Sequence, residues 1–423
     1  MSGRPRPFEW IVLGGCAFVL TQAILSLVLG PGDTPTEGNA TWKLILAVGY
    51  LSVVAILVPF YRETLYVLGR NWSLVVLVLL ALVSCSWAAM PAFVLQRSVA
   101  VLGATLVGVA FAIRLSLEDQ LRLMSWLFRI IAVLSLACIV FLPSYGISSV
   151  VDSQGEWQGI FSHKNGLGSF MALFFLVEWR LPANTRLAKV VRVFALLLST
   201  VLLLFSGSLT PVLALAGTLL FTQIYKVATQ KLRIPLYALA LAAFLTAASG
   251  VTVLVAQNER IASVLGRSSD LTGRTSIWSL VVPFIIERPV QGFGYSGFWA
   301  GASPESADIE RVMGTMIQYS HNGYLEILLE LGAVGFFLTL VFLGTGVRRA
   351  IYRSKLGHSS VDLWPFSFMV YFLLHNFGEC TILYQDLEWA ICVATVIGTD
   401  PALFAADLEQ EDALPLTLAE EFE

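Results

Sequence analysis

The sequence predicts an all-α, polytopic integral membrane protein of about twelve transmembrane helices, with one large periplasmic loop that carries short helices. Three observations carry this. The chain is 57% hydrophobic and only 13% charged, with a mean hydropathy of +0.77, outside the range of soluble globular domains. Its apolar stretches recur at about the 20 residues that a helix needs to cross a bilayer core. Its basic residues divide unevenly between the two sets of connecting loops, and such asymmetry sets orientation.

Taken in order, spans are expected near 10–30, 42–60, 72–90, 93–113, 124–142 and 163–180. The second set is expected near 191–206, 210–225, 235–256, 321–346, 363–380 and 386–404. The first run, Trp10 to Gly30, follows Arg4 and Arg6 as a signal sequence would. It is long enough to span and no small-residue cleavage site is evident after it, so it reads as an anchor. Residues 1–404 then form a single transmembrane domain whose large polar loop covers 257–320, and 405–423 form an acidic, disordered tail. With a cytoplasmic N-terminus, 18 of the 26 Lys and Arg residues fall inside and 8 outside. Both termini are then cytoplasmic, and the large loop faces the periplasm of a bacterium. The five cysteines lie in or beside apolar runs without ligand spacing, and read as small buried residues rather than a disulfide or metal framework.

Three constellations in the outward loops could carry chemistry. The first is Gly159-Ile160-Phe161-Ser162-His163-Lys164-Asn165-Gly166-Leu167-Gly168, at the start of the sixth span. A helix beginning there points unpaired N–H groups and its positive dipole end outward, which suits a phosphate, and Lys164 adds a point charge. The bland reading is an N-cap by Ser162 with His163 and Lys164 reaching to the interface. The second runs from Gly266 to Thr275, with Arg267 and Arg274, and continues into Ile277, Trp278, Val281, Phe284 and Ile285. Ile277, Val281, Phe284 and Ile285 fit one face of a short helix stopped by Pro289, lying along the membrane surface. Arg274 offers a planar donor fork that matches phosphate oxygens; its bland partners are Asp270 or Glu287. The following Gly292-Phe293-Gly294-Tyr295-Ser296-Gly297 spells a dinucleotide-type glycine motif, but no strand precedes it, so that reading is rejected. Its aromatics, with Phe298 and Trp299, are expected to anchor at the interface or to stack on sugar faces.

The third constellation is His321-Asn322-Gly323-Tyr324-Leu325-Glu326, with Glu330 and Gly332 beyond it, opening the tenth span. A histidine at a helix N-terminus is favoured in its neutral, proton-accepting form and suits a general base acting on a hydroxyl. Glu330 lies about 13 Å further along the helix axis, and a carboxylate at that depth is a functional candidate by default. His375 and Glu379, four apart near the end of the eleventh span, are its expected partners.

These motifs, in this order on a twelve-span frame, resemble the O-antigen polymerase/ligase superfamily, and within it the bacterial exopolysaccharide polymerases of the succinoglycan type. The likeness covers roughly 155–380. It rests on Phe161, His163-Lys164-Asn165, Gly168, Gly266-Arg267, Leu271 to Thr275, Trp278, Pro289, Gly292, Gly294, His321-Asn322, Tyr324-Leu325, Glu330 and Gly332. The resemblance implies a metal-independent membrane glycosyltransferase, without cofactor, that polymerises polyprenyl-diphosphate-linked repeat units at the periplasmic face of the inner membrane. It implies His321 as base, Arg274 on the diphosphate and Glu330 beside them. Arg267, Lys164, His163, Asn165, Asn322, Trp278 and Tyr324 are the expected substrate-binding residues. The growing polysaccharide, membrane lipid, and chain-length and export proteins are the expected partners; no nucleic acid is. One departure matters. Relatives carry a basic residue in Ser-x-Ser-Arg/Lys-Thr, whereas this chain has Ser206-Gly207-Ser208-Leu209-Thr210, and either Lys164 or Arg267 supplies that charge or the activity is altered. A ligase, moving finished glycan onto a lipid or protein, is the alternative within this chemistry. A lipid-glycan transporter relaying through Glu178, Glu330, His375 and Glu379 is the alternative outside it.

Overall fold

In the computed structural model, residues 5–23, 40–149, 153–228, 270–299, 303–314, 316–357, 359–401 and 403 are described. The ninth expected span, the acidic tail, Arg260 and Arg267 lie outside these residues. Among the described residues the structure is helical throughout. The elements are α1 (Pro7–Leu20), α2 (Ala40–Leu57), α3 (Tyr61–Arg70), α4 (Trp72–Val83), α5 (Pro91–Arg114), α6 (Leu117–Phe141) and α7 (Lys164–Arg180). They continue as α8 (Arg186–Phe205), α9 (Leu209–Lys226), α10 (Asp270–Glu287), α11 (Pro304–Met313), α12 (Gly323–Leu356), α13 (Trp364–His375) and α14 (Leu387–Gly398). A helix overlaps every expected span that is described. Five segments, Ala40–Arg70, Pro91–Arg114, Leu117–Phe141, Arg186–Phe205 and Gly323–Leu356, are long and apolar enough to cross a membrane. Large apolar side chains such as Ile11, Val133, Phe141, Phe194 and Phe337 stand exposed around the bundle, a surface suited to lipid rather than water.

Local chemistry explains where the helices start. Ser116, Thr185 and Asp386 each accept a backbone N–H from the first turn of α6, α8 and α14, satisfying donors that would otherwise be orphaned. Pro91 opens α5, where its missing N–H costs nothing. The loop expected between the second and third spans is instead helix α3, with Arg62 and Arg70 beside exposed Tyr61, Leu65 and Tyr66. That mixture suits an interfacial helix.

The core is a tight bundle in which α5 packs on α14, tied by Trp389 Nε1 donating to Thr105 Oγ1 at 2.9 Å. At the end of the bundle where α5 and α12 finish, buried charges are matched. Arg114 meets Glu9 at 2.8 Å, Arg349 meets Asp400 at 2.7 Å, and Arg353 meets Asp362 at 3.2 Å. Arg129 meets Glu178 at 2.9 Å, where Ser125 also donates at 2.6 Å, so Glu178 sits well apart from the other acids of the supposed relay.

The tenth span departs from a continuous helix. Gly332 has φ 62° and ψ −163°, a backbone that essentially only glycine adopts, and α12 kinks there. The carbonyls of Leu329 and Glu330 accept from Phe293 and Gly294 N–H at 2.9 and 2.8 Å, while Ala333 N–H donates to Pro289 at 2.8 Å. The break is thus bridged by residues 289–294. A Cβ on Gly332 would collide with the Val290 backbone, and one on Gly292 with that of Glu330. The glycine motif rejected for dinucleotides therefore closes a broken helix.

Candidate active site

Glu379 is the centre on which the three constellations converge. α13 ends at His375, so Glu379 does not share a helix face with it; Glu379 lies in the turn beyond, its N–H donating to the His375 carbonyl at 3.0 Å. From the first constellation, Asn165 Nδ2 donates to Glu379 Oε1 at 2.8 Å. From the second, Arg274 Nη2 donates to the same oxygen at 3.0 Å. From the third, His321 Nδ1 stands 3.7 Å from Oε2. That separation is a charge contact rather than a hydrogen bond, and Nδ1 has no hydrogen-bond partner. Burial alone would raise the Glu379 carboxyl, but the adjoining His321 ring and the Arg274 guanidinium outweigh it and hold the group at about 2. It is therefore an anion at neutral pH.

His321 is the strained member. Its φ is +54°, a left-handed conformation uncommon outside glycine, and its neighbours enforce it. Trp278 Nε1 holds the Ser320 carbonyl at 2.9 Å, Glu326 Oε2 holds the Ser320 N–H at 2.8 Å, and Asn322 Oδ1 caps α12 through Tyr324 and Leu325 N–H at 3.0 and 3.1 Å. Gly323 N–H reaches both the Asn376 and Glu379 carbonyls, at 2.9 and 3.0 Å. The backbone of the histidine is thereby fixed to that of the glutamate. Its side chain keeps 26% exposure and lies against Tyr319, ring centroids 4.4 Å apart. Backbone strain held in place by surrounding structure is characteristic of working sites.

Arg274 is a second-turn residue of α10. Its partners are Glu379 and Thr210 Oγ1, the latter at 2.5 Å, not Glu287; the Asp270 side chain lies outside what is described. Thr210 belongs to the Ser206–Thr210 turn, where the family resemblance leads one to expect a basic residue. Ser208 of that turn donates to Asn165 Oδ1 at 2.9 Å, and a Cβ on Gly207 would collide with the Glu156 carboxylate. Lys164 Nζ in turn meets Glu156 at 2.7 Å. Lys164 thus brings a positive charge beside Gly207, two residues from Leu209.

His163, rather than Ser162, caps α7, its Nδ1 accepting from Asn165 N–H at 3.2 Å. Tyr324 is bound to the Leu373 carbonyl at 2.8 Å and packs on Phe377. Glu330 is not paired with His375 or Glu379. It is buried, and lines a cavity with Glu326, Arg97, Tyr295, Trp299 and Tyr319. His375, fully buried, bonds Glu388 at 3.0 Å and Ser169 at 2.9 Å. Phe293, Phe298 and Trp299 neither anchor at a surface nor stand free; they form a small core with Ile277, Val281, Ile309 and Leu329. Ile277 and Val281 are the buried face expected of α10. Sequence reasoning missed Thr210, Glu326, Tyr319 and Arg97, and placed Glu379 with the wrong partner. A carboxylate at the edge of an apolar span was the available signal for Glu379; nothing local marked the others.

The model of a protein family described as O-Antigen ligase matches residues 194–340, a stretch that includes Arg274 and His321. The exopolysaccharide production protein ExoQ of Rhizobium meliloti (strain 1021) is 30% identical to this chain over 88 residues, 20% of this chain and 20% of that protein. The match thus covers only a fifth of that relative's length. Together these similarities bear out the resemblance to the O-antigen polymerase/ligase superfamily, in a multi-pass membrane protein.

Proposed function

We propose that this chain, similar to O-antigen ligases and to an exopolysaccharide production protein, joins lipid-diphosphate-linked oligosaccharide repeat units into an exopolysaccharide at the outer face of the bacterial inner membrane. The observation that carries the reading is Glu379, on which His321, Arg274 and Asn165 from three distant stretches converge.

The chemistry follows from the geometry. With Nδ1 turned toward the Glu379 carboxylate, Nε2 of His321 is the nitrogen left to accept a proton. A sugar hydroxyl of the acceptor loses its proton to Nε2 as its oxygen attacks the anomeric carbon of the donor. The bond from that carbon to the diphosphate oxygen breaks, and the lipid diphosphate leaves with the electron pair. Glu379 stabilises the imidazolium, as a carboxylate does behind a histidine base. Arg274 faces the departing diphosphate, and Lys164 immediately precedes the Asn165–Gly168 segment that would cradle it. Donors fixed beforehand by Thr210 and Glu379 need no rearrangement when charge develops. A diphosphate is already a good leaving group, so fixed cations are sufficient and the reaction needs no metal.

The test is reconstitution of the purified full-length protein with lipid-linked repeat units and no added metal, products resolved by size. A ladder of lipid-linked oligomers is the expected result. Transfer of preformed polymer to a lipid or protein acceptor, with no ladder from single units, would establish ligation instead.

A further inference from the structure

We infer that the cavity behind Tyr319 is a subsite for a hydroxyl-bearing arm of the acceptor sugar, a reading that rests on the proposed polymerase function. The cavity is lined by Arg97, Tyr295, Trp299, Tyr319, Glu326 and Glu330, with Phe93, Gln318 and Tyr384 at its mouth. Trp299, Tyr295, Glu326 and Glu330 are buried, whereas Gln318 is exposed and Phe93, Tyr319 and Tyr384 are half-exposed. It therefore has a closed floor and an open mouth. Tyr319 is shared: one side lines the cavity and its ring packs on His321. A group seated here continues directly toward the base.

The wall chemistry selects the ligand. Two carboxylates, one helical turn apart on α12, would repel a phosphate. The polar floor would be left unsatisfied by a lipid chain. What remains is a neutral group that both donates and accepts, which is the property of a sugar hydroxyl. Glu326 already accepts from Trp299 Nε1 at 2.7 Å and from Ser320 N–H at 2.8 Å, so it is held in place to shape the floor. Arg97 is the unsatisfied member. Its Nε is buried with no hydrogen-bond partner, and no carboxylate among the described residues is within ion-pair distance of it. Its guanidinium stands over the Phe93 ring, 5.4 Å from the centroid. A donor that lines the same cavity as two buried carboxylates, yet is ion-paired with neither, leaves room for a bridging hydroxyl. Size sharpens the assignment. About 30 Å³ admits roughly two water-sized groups, hence a hydroxymethyl arm or a pair of hydroxyls. The sugar ring itself would lie at the mouth against Phe93, Tyr319 and Tyr384.

The test uses full-length protein and two probes: the lipid-linked repeat unit as donor, and the delipidated repeat-unit oligosaccharide, released by mild acid from the host's own lipid-linked pool, as acceptor. Arg97→Gln should raise the acceptor KM about tenfold or more, the worth of a hydrogen bond from a charged group, with the donor KM unmoved. Arg97→Lys should restore part of the loss. Should Arg97→Gln fail to fold, the exposed rim variant Gln318→Ala should raise the acceptor KM a few-fold. Wild-type turnover with an unchanged acceptor KM in the folded variant overturns the subsite and leaves the polymerase reading intact. If wild type makes no product, the polymerase reading fails and direct binding decides the subsite: oligosaccharide that quenches tryptophan fluorescence in wild type but not in Arg97→Gln supports it, and no binding to wild type overturns it.

Discussion

At the end of the bundle where α5 and α12 finish, Arg114, Arg129, Arg349 and Arg353 each meet a carboxylate at 2.7 to 3.2 Å, and Asn71 fills a further donor of Arg349 at 2.8 Å. At the His321 end, one carboxylate accepts from two donors and faces His321 as well, His321 Nδ1 and Arg97 Nε lack hydrogen bonds, and His321, Ser296 and Leu383 all adopt positive φ. Buried charge is tolerable in either arrangement only if something compensates it. In the first region each of these arginines has an internal carboxylate, although Arg114 Nη1 has no hydrogen-bond partner, so the charges lock helices together. In the second the partners are incomplete and strained, the condition of groups that meet a ligand. On the proposed function, stability and chemistry fall to opposite ends of the same helices.

The largest expected effect breaks the chemical end alone. His321→Ala should lower transfer by about 10²–10⁴, the usual cost of losing a general base, while leaving the melting temperature near wild type. A partly exposed side chain on a backbone that its neighbours hold in place has little packing to lose. Near-normal ladder formation in that variant would place the base elsewhere. Arg274→Lys should fall toward the same floor, because a point charge cannot reach Thr210 and Glu379 together.

The opposite end should respond the other way. Asp400→Ala leaves Arg349 and Arg70 without their shared carboxylate, a loss of about 3–5 kcal/mol for a buried pair broken on one side. The melting temperature should drop sharply, yet turnover per folded molecule should hold. A loss of turnover without a loss of stability would dissolve the contrast between the two regions.

The contrast was half legible in the sequence. Apolar length placed most helices, since that signal depends only on the bilayer's thickness. His321, Arg274 and Lys164 stood out because charged groups between apolar runs are few. What could not be read was convergence. Asn165, Thr210, Arg274 and Glu379 are separated by tens to hundreds of residues, and only packing decides which carboxylate joins which arginine. His375 and Glu379 looked like one pair because a continuous helix was assumed; the helix ends between them, and each finds a different partner. The kink at Gly332 was hidden for the same reason, since a glycine in an apolar run reads as a packing residue until its backbone is seen.

An intermediate effect comes from acid. The Glu379 carboxyl sits at about 2 in the fold, below its ordinary 4.5. Between those values the unfolded chain binds the proton and the folded chain does not, so stability present above the unfolded value is lost as pH falls through this window. The full loss is about 3 kcal/mol at 1.36 kcal/mol per unit. Thermal melts in detergent should show it, and Glu379→Gln should flatten the dependence. An unchanged acid profile in that variant would mean that another carboxylate controls the transition. Gly332→Ala should cost about 1–3 kcal/mol through backbone strain, with the added loss of Glu330 alignment visible as lowered turnover.

The smallest effect bears on the basic charge that the family resemblance leads one to expect at position 209. Lys164 reaches that turn through Glu156, which packs on Gly207, so a positive charge occupies the neighbourhood although Leu209 does not supply it. If that ion pair only braces the turn, Lys164→Ala costs up to about 1 kcal/mol of stability, as partly exposed pairs do, and leaves the donor KM alone. If Lys164 also meets the diphosphate, the donor KM rises about tenfold, in line with the 1.4 kcal/mol or more of a charge-assisted contact. Leu209→Arg separates the two. Installed in the Lys164→Ala background, an arginine at this position should restore donor affinity without restoring the lost ion pair, because its side chain starts one residue from Thr210 and can share the phosphate with Arg274. Donor affinity that stays low in the double variant, with both single variants folded, would show that Lys164 acts on the architecture of the turn and not on the substrate's charge.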